Sequence, residues 1–313
     1  MTNQESCLDG FLRDSDDKKI RETLLVGREL GAGEEGDSDT KGWPEWQSAG
    51  DRRLLQGKTV TPDITVVADG SGDYSTVSAA VAAAPEPSKR RFIIRIEAGV
   101  YRENVEFPSR KTNLMFVGDS RLTTIITASR NVVDGSTAFD SAIVAVALRI
   151  NADLCAFYRC SMIAYQDTLY VHSLCQFIVS CYIAGTIDFI FGNAAAVLQA
   201  CDIHPRRPNP SQRNMITAQG RDDPNQNTVV MQTTINDIVN PAGWYPWDGN
   251  FALDTLYYAE YANTGAGADT SNRVNWKGYR VITASEAQQF TFSQFIAGDS
   301  WLPSTGFPYT LGL

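Results

Sequence analysis

The sequence predicts an all-β fold, a right-handed parallel β-helix with a period near 21 residues and one short helix near the start of the domain. Three observations support this prediction. From residue 64 onward, short β-rich runs alternate with turn residues. Three cysteines recur in similar contexts at intervals of 21 and 20 residues. The segments between the runs do not look helical, which argues against a TIM barrel, because that fold needs a regular helix after each strand.

The first elements follow from local patterns. The runs ITVVA, RFIIRI, NLMFVG and TTIITA are each bounded by turn residues and predict strands. One helix is predicted at Tyr74–Ala84, because four apolar residues recur there with helical spacing. These residues are Val77, Ala80, Val81 and Ala84.

The repeat fixes a register between coils. Its cysteines are Cys160, Cys181 and Cys201, in the contexts FYRCSMI, IVSCYI and LQACDI. Equivalent residues of adjacent coils would be strand neighbours about 4.8 Å apart. The cysteines would then form an internal column. Its members could be close enough for a disulfide, or remain buried free thiols that pack as small hydrophobic groups.

The same register places Asp167 on Asp188 and Tyr170 on Phe191. Ionisation of both carboxyl groups is unfavourable when they are stacked so closely, so the pKa of one of them is expected to rise. Such a pair can serve as proton donor and nucleophile. The alternative is a pair of turn aspartates on an exposed loop.

Two chemistries suit the pair. A retaining glycosidase keeps its two carboxyl groups about 5–5.5 Å apart. An ester hydrolase with an aspartate nucleophile also needs an oxyanion donor, and the amide of Gln166 could supply it. The spacing alone does not choose between them.

Composition excludes several other classes. Hydrophobic residues make up 43% and charged residues 20%, which is typical of a globular protein. The net charge of −9 argues against a nucleic-acid surface. With 2 His and no CxxC pair, no metal site is expected. No apolar run approaches the roughly 20 residues of a membrane span.

Longer motifs resemble a known family. AYQDTLYVHS (164–173), GTIDFIFGNA (185–194) and GVYRENV (99–105) resemble signature segments of plant pectin methylesterases, or pectinesterases. The resemblance runs from about residue 64 to residue 313. It implies a parallel β-helix with a long cleft, which hydrolyses the methyl esters of polygalacturonate in the cell wall without a cofactor. A monomer is expected, with pectin and a pectinesterase inhibitor protein as partners.

The resemblance also suggests site residues. Asp188 resembles the nucleophile, Asp167 the proton donor and Gln166 an oxyanion-hole donor. Phe191 resembles a residue that lines the substrate cleft. The family's usual disulfide maps onto the pair Cys181 and Cys201.

Five further residues could contact substrate. Tyr170 and Trp247 are candidates because aromatic faces suit sugar rings, although a Trp in a Gly- and Pro-rich loop more often holds the loop in place. The basic residues Arg206, Arg207 and Arg213 could meet anionic pectin, although such charges more often form a solvated face.

Residues 1–55 differ from the rest and resemble the end of an inhibitor-like pro-region with its linker. RRLL at 52–55 resembles the site where that region is removed, so residues 56–313 are predicted to form the catalytic domain. The opening residues show no basic and then apolar pattern of a signal peptide.

The sequence departs from the family at two points. After SAIVAV (141–146) about one coil is missing, and Val144 occupies the position of a second oxyanion glutamine. After PNQNT (224–228) more than one coil is missing, including the GRPW motif whose Arg holds the nucleophile and whose Trp contacts substrate. The alternative function is therefore a catalytically impaired relative that only binds pectin.

Overall fold

A computed structural model describes residues 61–127, 146–208, 213–218, 227–246, 249–307, 309 and 312–313. The predicted pro-region remnant at 1–55, Val144 and Trp247 lie outside these residues. In the described part, the chain winds through three parallel sheets that stack coil upon coil. This arrangement confirms the predicted parallel β-helix.

The strands of the described part are short. They are β1 Ile64–Val66, β2 Phe92–Ile96, β3 Gly99–Arg102, β4 Val105–Phe107, β5 Leu114–Gly118, β6 Thr124–Thr127, β7 Leu148–Ile150, β8 Cys155–Tyr158, β9 Ser161–Ile163, β10 Leu169–Val171, β11 Cys175–Val179, β12 Tyr182–Gly185, β13 Ile190–Phe191, β14 Ala195–Gln199, β15 Asp202–Pro205, β16 Thr217–Ala218, β17 Thr228–Met231, β18 Tyr258–Tyr261 and β19 Tyr279–Val281. The helices are α1 Val77–Ala83, α2 Ala284–Ala287 and α3 Phe292–Phe295. Short 3₁₀ turns occupy Gln288–Phe290, Gly298–Ser300 and Leu302–Thr305.

Every strand pair among these elements is parallel. The first sheet has the order β1-β2-β5-β8-β11-β14, the second β15-β12-β9-β6-β3 and the third β16-β13-β10-β7-β4. Each coil contributes one strand to each sheet, and from β7 to β15 a residue's neighbours in adjacent coils lie 20 or 21 positions away. The predicted register is confirmed where Leu169 pairs with Ile190 and Tyr170 with Phe191.

The coils turn their corners through single left-handed residues. Arg159, Ser180 and Ala200 have φ of 57°, 52° and 52° at the corner between the first and second sheets. Asp167 and Asp188 have φ of 55° and 48° at the next corner. Aspartate tolerates this conformation better than most residues, because its short polar side chain can hydrogen-bond locally. The carboxyl pair therefore sits on a regular corner of the helix.

The predicted helix forms the first cap of the solenoid, as α1. Thr76 caps it, and the Glu103 carboxylate accepts hydrogen bonds from the amides of Val77 and Ser78 at 2.7 and 2.8 Å. This negative charge at a helix N-terminus is favourable. At the other end, the buried Nζ of Lys111 donates to the Ala82 carbonyl at 2.8 Å, and also bonds the Ala84 carbonyl.

Inward-facing side chains fill the solenoid. Phe116 stacks on Phe157, and Phe107 meets both rings edge to face, with centroids 4.9 to 5.7 Å apart. Cys181 and Cys201 lie in register, because the following residues Tyr182 and Asp202 pair. Both are free thiols in this structure, and burial raises the pKa of each. The Cys181–Cys201 disulfide stays a prediction.

At the first departure from the family pattern, the three sheets remain continuous. β4 pairs with β7, β5 with β8 and β6 with β9. The hydrogen-bonded strand pairing of all three sheets is therefore continuous across the position where sequence is missing. The loss of one whole coil preserves the register, as expected for a solenoid whose repeats contact only their neighbours.

The second departure has a different outcome. In the described residues, β17 pairs with β18 and β18 with β19, which forms a fourth sheet that is not hydrogen-bonded to β14. Among the described residues, the preceding strands β14 and β15 therefore lie at the edges of their sheets. Ile203 points inward in register with the buried Ile183, yet 36% of it is exposed.

The C-terminal segment covers the outer face of the first sheet. Phe292, Trp301 and Leu302 pack against outward-facing residues of this sheet, such as Met115 and Phe177. Among the described helices, none has the length and apolar character needed to cross a bilayer.

Candidate active site

The candidate site lies at the corner between the second and third sheets. Ile163 pairs with Ala184 before this corner, and Leu169 with Ile190 after it. Both pairs are offset by 21 residues, so Asp167 lies directly over Asp188. The Asp167 amide donates to the Ile187 carbonyl at 3.1 Å, which continues the ladder through the corner. The predicted stack of the two residues is confirmed.

The pair has unusual electrostatics. Asp167 is only 7% exposed, and burial together with repulsion from Asp188 raises its pKa from 3.8 to about 7. Burial raises the pKa of Asp188 to about 6. Among the described residues, no cation forms an ion pair with Asp188. The predicted rise of one pKa is thus found at Asp167, and the pKa of Asp188 is raised as well.

The oxyanion candidate lies on the solvent side of the same turn. Gln166 is exposed and directly precedes Asp167, so its amide can reach a substrate that approaches the corner. The preceding Tyr165 is 42% exposed, and the Arg206 guanidinium lies 4.1 Å from the centroid of its ring. Arg206 also donates from Nη1 to the Ala164 carbonyl at 2.9 Å.

Arg206 corrects one sequence expectation. It is 7% exposed and reaches across two coils to support the turn of Gln166 and Asp167, so it does not belong to a solvated face. Arg207 is exposed, as that interpretation predicts.

The two aromatic candidates lie beside the carboxyl pair on the outer face of the third sheet. Tyr170 stacks on Phe191 with ring centroids 4.4 Å apart and an angle of 13°. Both side chains are partly exposed. Trp247 lies outside the described residues, so its contact with substrate stays a prediction. Its neighbour Trp244 stacks on Tyr258 at 4.1 Å, which holds this loop against the fourth sheet.

The aromatic stack continues into a charged pair that sequence reasoning missed. Arg149 is the register partner of both Tyr170 and Glu106. Its guanidinium lies 5.4 Å from the Tyr170 ring centroid, and its Nη1 pairs with Glu106 Oε1 at 2.9 Å. The signal was present in the sequence, because Arg149 precedes Tyr170 by the same 21 residues that separate Tyr170 from Phe191.

This arrangement supports acid and nucleophile chemistry. One carboxyl can hold a proton while its neighbour is ionised, and an amide donor lies next to them. Within the described ranges, no cluster of three or more His, Cys, Asp and Glu residues could hold a metal ion.

Comparison with known proteins identifies a family. The pectinesterase family model matches residues 63–146, 143–230 and 227–299. The joins between the three matched segments fall at the two places where the sequence departs from the family pattern.

Several relatives are similar over most of their length. "Pectinesterase/pectinesterase inhibitor U1" of Solanum lycopersicum is 52% identical over 403 residues, which cover 100% of this chain and 69% of that protein. A pectinesterase of Daucus carota is 57% identical over 319 residues, covering 82% of this chain and all of that protein.

The solved structures agree. The pectin methylesterase from carrot has 55% sequence identity and a TM-score of 0.71, with 82% of this chain and 100% of that chain covered. The 82% of this chain that aligns with the carrot sequence is about 257 of its 313 residues, so about 62 of the 319 aligned positions have no counterpart here. This difference corresponds in size to about three coils of 21 residues.

Proposed function

Because the chain belongs to the pectinesterase family, we propose that it removes methyl esters from pectin, with Asp188 as nucleophile and Asp167 as acid and base. The observation that carries this proposal is the stacked carboxyl pair with two raised pKa values. The family of carboxylic ester hydrolases decides between the two chemistries that the spacing alone left open. The products are methanol and the free galacturonate carboxylate.

The first half of the reaction forms an acyl-enzyme. Ionised Asp188 attacks the ester carbonyl carbon, and the amide of Gln166 donates a hydrogen bond to the oxyanion that develops. As the carbon–oxygen bond to the methoxy group breaks, protonated Asp167 gives its proton to the leaving oxygen. Methanol departs, and an anhydride joins Asp188 to the sugar carboxyl.

Water completes the cycle. Asp167, now ionised, takes a proton from a water molecule that attacks the anhydride, and Asp188 leaves as a carboxylate. Asp167 is again protonated. The high pKa of Asp167 suits this exchange, because a group that titrates near neutral pH both gives and accepts a proton readily.

The absent GRPW motif supports a second candidate, a relative that binds pectin without turnover. An arginine opposite Asp188 would favour the ionised form of this carboxyl. Since no described cation pairs with Asp188, part of the nucleophile is protonated at mildly acidic pH. Val144 at the position of the second oxyanion glutamine adds to this argument.

The deciding experiment is methanol release from highly esterified pectin by the full chain. Asp188→Asn should abolish the release, while Asp237→Asn, which changes an exposed aspartate between β17 and β18, should leave it intact. No release from the folded parent, with pectin still bound, would reject turnover and leave the binding function. New reducing ends without methanol would reject ester hydrolysis.

Two further expectations accompany the proposal. We propose that the protein acts in the cell wall, where pectin occurs, and that an inhibitor protein is a partner. Both rest on the family resemblance.

A further inference from the structure

We propose that Arg149, together with Tyr170, forms a subsite that binds the free carboxylate of an unesterified galacturonate unit. This inference rests on the proposed function, because it concerns the same cleft. It adds a charge preference to a position that lies one coil away from the catalytic corner.

The subsite belongs to an ordered column on the outer face of the third sheet. In register, the column consists of Glu106, Arg149, Tyr170 and Phe191, one side chain from each coil. Tyr170 follows Asp167 by three residues, so the aromatic half of the column lies beside the carboxyl pair. Adjacent coils are about 4.8 Å apart, roughly the length of one sugar unit in a polysaccharide. A pectin chain that follows the column therefore places successive units over successive side chains.

The faces of the Tyr170 ring are already occupied. Phe191 stacks on one side at 4.4 Å, and the Arg149 guanidinium lies 5.4 Å from the ring centroid. His172 is a further neighbour at 4.7 Å. A sugar unit must therefore lie across the outward edges of the column. In that position, its C6 carboxyl can reach Arg149.

Arg149 has hydrogen-bonding capacity left for such a ligand. A guanidinium carries five N–H donors. Nη1 donates to Glu106 and Nη2 lies 3.3 Å from His172 Nδ1, so each of these two nitrogens keeps one further N–H for a ligand. The Arg149 side chain is 22% exposed, so it remains accessible from the cleft.

The present counter-ion of Arg149 is replaceable. The Glu106 side chain is 61% exposed, and an ion pair with such an exposed carboxylate contributes little. A sugar carboxylate held by the rest of the polysaccharide can displace it or share the guanidinium. A methyl ester cannot compete, because it lacks the charge that strengthens hydrogen bonds to arginine.

The test compares two ligands on the full chain. Unesterified hexagalacturonate and its fully methyl-esterified form are titrated by calorimetry into an Asp188→Asn background, which prevents turnover. Arg149→Gln should weaken binding of the free acid by roughly ten- to hundredfold, the expected loss for a charge-assisted hydrogen bond. Its affinity for the methyl-esterified hexamer should stay within about twofold.

A second variant, expected to tighten binding, separates an effect on the subsite from a general loss of folding. Glu106→Gln removes the competing carboxylate and should tighten binding of the free acid only. Arg102→Gln is the matched control, because this exposed arginine lies on β3 in the second sheet and its loss changes the net charge equally.

The outcomes are distinguishable. An equal loss of affinity for both hexamers in Arg149→Gln would show that the arginine merely supports Tyr170, and this result would overturn the proposed subsite. An unchanged preference, or no binding of either hexamer by the parent, also overturns it. Failure of the proposed function is measured separately, as absent methanol release by the chain that retains Asp188.

Discussion

Replacing Asp167 with asparagine should stabilise the protein while it abolishes activity. The pKa of this carboxyl rises from 3.8 to about 7 on folding. That is about 3 pH units, and each unit corresponds to about 1.36 kcal/mol, so ionisation of the buried group costs folding up to about 4 kcal/mol. Because this cost is divided between the two carboxyls, we expect Asp167→Asn to raise the free energy of unfolding by about 2 kcal/mol.

The sign and the pH range follow from the direction of the shift. A carboxyl whose pKa is raised in the folded state binds its proton more tightly there than in the unfolded chain. The parent therefore loses stability as the pH rises from about 4 to about 7, and the loss is complete above that range. Asparagine does not titrate, so the variant avoids this loss. The difference in Tm should be near zero at pH 4 and roughly 4–8 °C at pH 8.

Thermal unfolding followed by circular dichroism between pH 4 and pH 8, at constant ionic strength, measures this difference. Asp237→Asn serves as the control because it also replaces one aspartate, but an exposed one. A gain in Tm that does not depend on pH, or a variant that is less stable than the parent at pH 8, would refute the electrostatic reasoning.

The remaining predictions concern the catalytic pair, its turn and two buried charged groups elsewhere in the fold. Methanol release should be greatest between pH 6 and 7. Below about pH 6 the nucleophile Asp188 becomes protonated, and above about pH 7 Asp167 loses the proton that it donates. A rate that is flat from pH 5 to 8 would contradict this prediction. Gly185→Ala should lower kcat about tenfold or more at unchanged secondary structure, because the new Cβ would lie 2.3 Å from the Cβ of Phe189, which anchors the nucleophile's turn. Lys111→Met should cost about 2 kcal/mol in urea unfolding, because the buried ammonium bonds two carbonyls at the end of α1. Arg273→Met should cost about 3–5 kcal/mol, because it leaves the buried Glu260 carboxylate without its bidentate partner; simultaneous Glu260→Gln should recover part of the loss.

Local patterns predicted the parts of the fold that depend on periodicity. The expected helix contains α1, and the four β-rich runs contain β1, β2, β5 and β6. The register followed from the cysteine spacing alone, because one coil offset applies to every residue of a solenoid turn. Asp167 and Asp188 could be placed together for this reason, without any knowledge of the corner that holds them.

Other features depend on contacts that a period does not determine. Burial of Arg206 arises because its side chain passes beneath the turn of Tyr165 and meets a carbonyl two coils away. The C-terminal segment is irregular in sequence, and its position on the first sheet follows from side chains such as Trp301 that fill an outward apolar face. The pattern of aromatic residues ends at Tyr170, so it does not predict that Arg149, one coil away, belongs to the same column.

The direct pairing of β4 with β7 has a consequence for substrate length. In a cleft that runs along the solenoid axis, the number of coils determines how many sugar units are held at once. Removal of one coil shortens the cleft by about 4.8 Å without moving the carboxyl pair. We therefore expect the smallest oligosaccharide that this protein binds with full affinity to be one unit shorter than that of a relative with the additional coil.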